Sequence, residues 1–187
     1  MSLVESIPVA EFGVINPKDT VRIERLLPGP IERIWAYLTE EQKRRQWMAA
    51  GPIELRAGGT VRHLFDNSRL TARDDRPPAK YAAHAGPMES HGTVITCDPP
   101  RLLVYTWAEE TGEPSEVRFD LAEQGSKVLL TVSHSRILSR DAMLSFAAGW
   151  HTHLDILADR LNDREPSLFW PKHTALEAEY GKRVPAA

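Results

Sequence analysis

The sequence predicts an α+β fold: a curved antiparallel sheet wrapped around a long C-terminal helix, with two short helices after the first strand. Three observations lead there. Four consecutive segments, 90–97, 102–108, 115–121 and 127–134, alternate apolar and polar residues, and Asp98-Pro99-Pro100, Thr111-Gly112-Glu113-Pro114 and Gln124-Gly125 separate them. That is the pattern of an antiparallel meander with short turns. Met143, Ala147, Trp150, Leu154, Leu157 and Leu161 step by four and three residues, which puts one apolar stripe on a helix. A sheet with one apolar face must cover it, and this helix is the only large apolar partner the chain supplies.

The elements follow in order. Residues 1–19 hold no sustained period and are punctuated by Pro8, Gly13 and Pro17, so they read as an N-terminal arm. Residues 20–27 set Val21, Ile23 and Arg25 against Arg22, Glu24 and Leu26, a half-buried strand with one imperfect phase. Pro28-Gly29-Pro30 ends it. Pro30 suits the first turn of a helix, where its missing N–H would be unpaired anyway, and Ile31, Ile34, Trp35 and Leu38 recur at helical spacing. Thr39 with Gln42 fits a capping box, which predicts a second helix over about 40–48. Gly51-Pro52 and Gly58-Gly59 then mark turns, and Val61, His63 and Phe65 alternate with Arg62 and Leu64 as in a hairpin. Residues 68–87, with Asp74-Asp75, Pro77-Pro78 and Gly86-Pro87, form an insertion long for a loop and a candidate lid. Ser139 is a suitable N-cap for the long helix, and Asp141 places negative charge in its first turn. The helix should stop near Asn162, ahead of Pro166. The domain thus spans 20–162, and residues 163–187 make a tail whose Phe169, Trp170, Leu176 and Tyr180 are expected to pack on the body or on a second subunit.

Composition narrows the function. The chain has 187 residues, 42% of them hydrophobic, and 23 Lys+Arg against 26 Asp+Glu for a formal net charge of −3. This is one domain's worth of chain and large enough to bury a core without staples. Cys97 is the single cysteine, which excludes an internal disulfide or a cysteine-rich zinc site. The N-terminal residues lack the basic-then-apolar order of a secretory signal, so a cytoplasmic protein is expected. No apolar run approaches the ~20 residues that span a bilayer, and the slight acidic excess argues against nucleic-acid binding. A twisted sheet curling around one helix leaves space between them, and apolar cavities of that kind take small ligands.

Beyond these patterns, several short stretches in this order are specific: Ile34-Trp35-Ala36-Tyr37-Leu38-Thr39, then Gln46-Trp47, Gly58-Gly59, Gly92-Thr93-Val94, Asp98-Pro99-Pro100-Arg101-Leu102-Leu103-Val104-Tyr105-Thr106-Trp107, Ser115-Glu116-Val117-Arg118-Phe119, Val128 to His134, and Gly149-Trp150 with Leu154-Asp155-Ile156-Leu157. Over about residues 20–161 the chain resembles the SRPBCC (START-like, helix-grip) superfamily, and within it the group named after the activator of the heat-shock-protein-90 ATPase. The insertion and the Arg164-Glu165-Pro166 to Phe169-Trp170-Pro171 stretch resemble a bacterial subgroup. The resemblance implies a helix-grip (START/birch-pollen-allergen-like) fold with a cavity that binds lipids, polyketides, hormones or other apolar molecules, some relatives being cyclases or hydrolases. It does not carry an activity with it. No ATPase site is present, since Gly58-Gly59 lacks the Lys-Ser/Thr of a phosphate loop.

The candidate cavity residues are Trp47, Phe65, Tyr105, Trp107, Phe119, His134, Trp150, His151 and Leu154. Aromatic walls suit apolar or planar ligands, and equally they suit a core. His134 continues the apolar phase of Val128, Leu130 and Val132, so it either faces a ligand or is a buried ring satisfied by its neighbours. His151 and Asp155, four residues apart, read as a general base with its orienting carboxylate or as an ordinary helix-surface pair. His151 and His153 diverge by about 200° around the helix, so they do not converge on a metal ion; instead they flank the apolar stripe, half-buried. Cys97 reads as an inert buried thiol and Glu89, Glu109 and Glu110 as solvated carboxylates. No metal, no cofactor and no recognisable catalytic motif are expected. The leading reading is binding of a small apolar ligand between the C-terminal helix and the sheet. A hydrolase or cyclase using His134 or His151 is the alternative, and a co-chaperone-like interaction module the third. A homodimer through Phe169 and Trp170 is the expected assembly if the tail does not fold back.

Overall fold

The computed structural model describes residues 10–16, 18–71, 75–108 and 112–184. Glu109 and Glu110, and the N-terminal part of the arm, lie outside them. The described strands are β1 (Val14–Asn16), β2 (Thr20–Pro28), β3 (Ala49–Ala50), β4 (Thr60–Phe65), β5 (Met88–Asp98), β6 (Leu102–Trp107), β7 (Ser115–Gln124) and β8 (Lys127–Ser135). They form one antiparallel sheet in the order β1-β2-β8-β7-β6-β5-β4-β3. Helices α1 (Ile31–Thr39) and α2 (Glu41–Arg44) follow β2, while α3 (Arg140–Leu161) and α4 (Phe169–Arg183) end the chain. This is the α+β arrangement that the alternation and the C-terminal stripe predict, and the helix-grip fold that the resemblance implies.

Register decides what faces α3. Val21 pairs with His134, Ile23 with Val132 and Leu27 with Val128 across β2 and β8, and all six are buried. Arg25, the imperfection in that strand's pattern, shares the inward phase and meets α3: its Nε and Nη2 donate to Asp155 Oδ1 at 3.1 and 3.0 Å. The sheet bends at β5, where the register shifts between Val94 and Thr96. Gly92 is required nearby, because a Cβ there would collide with the Thr106 carbonyl of β6.

The expected capping box does not form. The Thr39 hydroxyl donates back to the Trp35 carbonyl at 2.8 Å, and α2 runs for only four residues because turn bonds from Gln46 and Trp47 N–H to the Lys43 and Arg44 carbonyls tighten the chain. That turn drives Trp47 into the core. It is held by Arg44, a buried guanidinium that donates to the carbonyls of Leu38, Thr39 and Gly51. The arm, read as patternless, contributes β1, whose three residues are too few to show a period. Ser139 caps α3 as expected, accepting from the Ala142 N–H at 3.1 Å.

The stripe on α3 is buried throughout, and so are Leu144, Ala148, Thr152 and Ile156 on its other faces. Expected at half-buried borders, His151 and His153 are buried too, at 4% and 7% exposure. The reason is α4, which packs along α3. Pro171 is tolerated there because it lies in the first turn, whose N–H groups have no helical partner. Phe169, Trp170, His173 and Tyr180 turn inward, so the chain's own body covers the two residues expected to reach a second subunit. Among the described residues, no helix is long and apolar enough to cross a membrane.

Candidate functional site

One face of α3 carries Phe146, Gly149, Trp150 and His153, spaced i, i+3, i+4 and i+7. With Ser145 they form one wall of a cavity of about 200 Å³. The start of α4 supplies Phe169, Trp170 and His173; the insertion and its flanks supply Asn67, Tyr81, His84 and Met88; Met48 and Trp107 complete it. The cavity is therefore not centred between α3 and the sheet. Tyr105, Phe119, Leu130 and Leu154 are buried there, and this cavity lies toward one edge, beneath the insertion and α4. Gly149 keeps that room open: a Cβ there would meet nothing within 4 Å.

The insertion is fastened by polar contacts at the α4 side. Tyr81 stacks on Trp170 with ring centres 5.6 Å apart. Its hydroxyl donates to Glu177 at 2.5 Å and lies 3.1 Å from Ser145 Oγ, while Lys80 pairs with Glu177 at 2.8 Å. Trp170 N–H donates to Asp75 at 3.0 Å, and its indole N–H donates to Ser68 Oγ at 3.1 Å.

Of the nine residues singled out in the sequence, Trp107 and Trp150 line the cavity. Trp47 supports it from below: its carbonyl accepts from His153 Nδ1 at 2.7 Å and its indole donates to the Tyr37 carbonyl at 2.8 Å. Phe65 packs behind, on Trp107 and His153. Tyr105 and Phe119 continue the aromatic layer inward, against Trp107 and Trp150, and Leu154 is fully buried core.

His134 stands behind Trp150 rather than at the cavity. It accepts the indole N–H of Trp150 on Nδ1 at 3.0 Å, which leaves Nε2–H to donate to Ser115 Oγ at 2.7 Å. Both nitrogens are committed, and burial pushes its pKa down to about 3. His151 faces away, 3.0 Å from the Tyr180 hydroxyl and against Phe12. Asp155 lies 3.5 Å from its Nε2 and pulls its basicity up, but burial, then the charge of Arg25, outweigh that carboxylate and hold the ring at about 4. The carboxylate itself is engaged by Arg25 and by Lys172, the latter at 2.6 Å. Cys97 is half-buried, and burial together with Asp98 pushes its thiol pKa up, away from a reactive thiolate. Glu89 sits on the exposed face with Arg62 and His91.

The polar residues that line the cavity, Asn67, Tyr81, His84, Ser145, His153 and His173, are ones the sequence reading did not place there. His153 donates from Nδ1, so its Nε2 carries a lone pair, and burial pushes its pKa down to about 4 against the opposing pull of the Trp47 carbonyl. His173 also lines the cavity, its pKa lowered by burial, but its Nδ1 is fully buried without a partner and is not open to that space. Asn67 Oδ1 is likewise buried and unpartnered. No lining residue is Lys, Arg, Asp or Glu, and the described residues contain no group of three or more His, Cys, Asp or Glu that could hold a metal. The missed signal was the 146-149-150-153 spacing, a second stripe beside the core stripe, and the 169-173-180 spacing of α4.

Comparison with known proteins agrees with this architecture. The solution NMR structure of the protein encoded by gene BPP1335 from Bordetella parapertussis superposes with a TM-score of 0.79 at 40% identity, over 100% of this chain and 97% of that one. CalU16 from Micromonospora echinospora matches with a TM-score of 0.62 at 21% identity, over 88% and 85% of the two chains. DynU16, a protein in the dynemicin biosynthetic locus, gives 0.62 at 21%, over 80% of this chain and 49% of that one; both of these likenesses show the fold alone. No curated protein matches. The family model for Activator of Hsp90 ATPase homolog 1-like proteins matches residues 28–162, the stretch from the end of β2 to the end of α3, and this chain belongs to that family of the SRPBCC superfamily.

Proposed function

We propose that the protein binds a small apolar molecule in the cavity between α3, α4 and the insertion, with residues 68–87 serving as its lid. The observation that carries this reading is the apolar cleft itself: about 200 Å³, partly open to solvent, walled by Trp107, Phe146, Trp150, Phe169 and Trp170, with a glycine at 149 where a side chain would enter the space. Apolar walls with a few convergent polar groups are the usual make-up of a ligand site. Family membership and the fold shared with CalU16 and DynU16 are in keeping with it. The lone free Cys97 suits a reducing compartment, and the proposal sets the protein in the cytoplasm.

The test uses naphthalene as probe, titrated while the indole N–H resonances of Trp107, Trp150 and Trp170 are followed. Saturable shifts at these three are expected. Gly149→Ala should raise stability by about 0.5–1 kcal/mol, since alanine replaces glycine in a helix interior. Gly149→Leu should weaken binding about tenfold or more, because overpacking an occupied space costs roughly 1–3 kcal/mol. A probe that shifts none of these resonances, or that binds Gly149→Leu as well as the wild type, overturns the reading.

A further inference from the structure

We propose that residues 75–84 of the insertion and residues 169–177 of α4 swing off α3 as one unit, latched to each other by the Asp75 carboxylate on the Trp170 N–H. The moving side of the cavity's gate is then half a helix as well as a loop. This deepens the proposed ligand site, and the unit's role as a gate rests on that reading. The N-terminal end of α4 is not capped by its own sequence. Leu168, at the cap position, makes no side-chain hydrogen bond, and the first N–H groups of a helix have no partner within it. The Trp170 N–H is instead taken by Asp75, 95 residues earlier and 3% exposed, which also sets a carboxylate at the positive end of the helix dipole. The opposite end is held elsewhere. Arg140 of α3 donates to the Gly181 and Val184 carbonyls at 3.1 and 2.9 Å, and the Gly13 N–H donates to the Tyr180 hydroxyl.

Opening follows the weaker seam. Parting the insertion from α4 would take the Trp170 N–H from Asp75, unstack Tyr81 from Trp170 and break the bonds of Tyr81 and Lys80 to Glu177. A buried carboxylate and a helix N–H that lose each other cost more than a neutral bond exchanged for water. The seam between this unit and α3 runs beside the cavity and crosses less: the Tyr81 hydroxyl 3.1 Å from Ser145 Oγ, the ring of Phe169 on His153, and Lys172 on Asp155. Asp155 keeps Arg25 when Lys172 leaves. Tyr81, Phe169 and Trp170 are then the walls that move, while Phe146 and Trp150 stay on α3.

Native-state hydrogen exchange in low urea, followed by NMR on the full chain without ligand, tests this. The Trp170 N–H and the Tyr81 N–H, which bonds to the Pro78 carbonyl at 2.8 Å, should show protection within about threefold of each other and the same urea slope, the mark of one cooperative opening. The Val184 N–H, bonded to the Tyr180 carbonyl at 3.0 Å, should not share that opening. Ser145→Ala removes a partner of Tyr81 on α3 and should quicken exchange about fivefold, the net worth of one hydrogen bond, at Trp170 as much as at Tyr81. Asp75→Asn, whose side-chain oxygen still accepts, should keep the two amides in step, and Asp75→Ala should let Trp170 exchange ahead of Tyr81. Should Asp75→Ala fail to fold, the wild type and Ser145→Ala still decide. Unequal protection or slopes in the wild type, a Ser145→Ala effect confined to Tyr81, or Val184 opening with the pair overturns this inference and leaves the cavity reading standing. Naphthalene at about a hundredfold excess over its Kd should slow both amides by about a hundredfold; naphthalene that binds and slows neither overturns the gate. A protein that binds no naphthalene overturns the cavity reading and the gate's role with it, whereas the joint opening is decided by exchange alone.

Discussion

His151 and His153 stand two residues apart on the same helix, are both buried, and are both held neutral with pKa values near 4. Their surroundings differ completely. His151 belongs to a closed chain: the Gly13 N–H donates to the Tyr180 hydroxyl at 2.9 Å, that hydroxyl meets His151 Nδ1 at 3.0 Å, and Asp155 lies at the other nitrogen among Arg25 and Lys172. The chain ties the N-terminal arm, β2, α3 and α4 into one unit. His153 is fixed by a single bond to the Trp47 carbonyl and turns its remaining capacity to a cavity. Saturated polar groups organise the fold. Unsaturated ones beside an open space are where a ligand has something to gain.

The largest expected effect tests what the two histidines share. His63 and His134 are also held neutral, at about 3, and in each case burial is the main cause. Unfolded histidines titrate near 6.5. As pH falls from about 6.5 toward 4, the unfolded chain takes up protons that the folded chain refuses, so stability is lost on the acid side and is flat above it. At pH 5 each of the four rings costs about 2 kcal/mol, and together they approach the whole stability of an ordinary domain, about 5–15 kcal/mol. Urea midpoints should fall steeply between pH 7 and 5. Midpoints that stay level across this range would mean that the rings are charged or hydrated in the native protein.

A smaller effect separates the two sides. Tyr180→Phe leaves the Gly13 N–H and His151 Nδ1 without their partner in a buried setting, at a cost of about 2 kcal/mol, and should leave naphthalene affinity unchanged. If the substitution instead alters binding, the two faces of α3 are coupled and the division drawn between them fails. The smallest effect is at the lid. Tyr81→Phe keeps the ring on Trp170 but removes the hydroxyl that donates to Glu177. It should cost about 1 kcal/mol or less and speed probe release in line-shape measurements, whereas unchanged exchange would argue that the insertion does not gate the cavity.

Much of the scaffold was legible because it is local. The inward phase of β8 was readable from Val128, Leu130 and Val132, and His134 falls on it. Ser139 at the start of α3 and the stripe from Met143 to Leu161 were equally plain. The second helix was overextended because its capping pattern competes with a turn that carries Trp47 into the core. α4 was missed although Phe169, His173 and Tyr180 recur at helical spacing, since Pro171 and a mixed polar content obscure the period. Two of the nine candidate residues reach the cavity and the rest pack behind it or elsewhere; aromatic type alone does not say which ring is wall and which is filling.

By itself the sequence determined the central order of strand, short helix, meander and long helix, the inward phase of β8 and the apolar stripe of α3. These depend on periods of two and about 3.6 residues, which the chain carries wherever it folds. Only the tertiary structure decided where space remains and which polar atoms border it. His153 finds its partner 106 residues away at Trp47, and Trp170 finds Asp75 95 residues away. A hydrogen-bond inventory closes, or stays open, only once such distant segments are brought together.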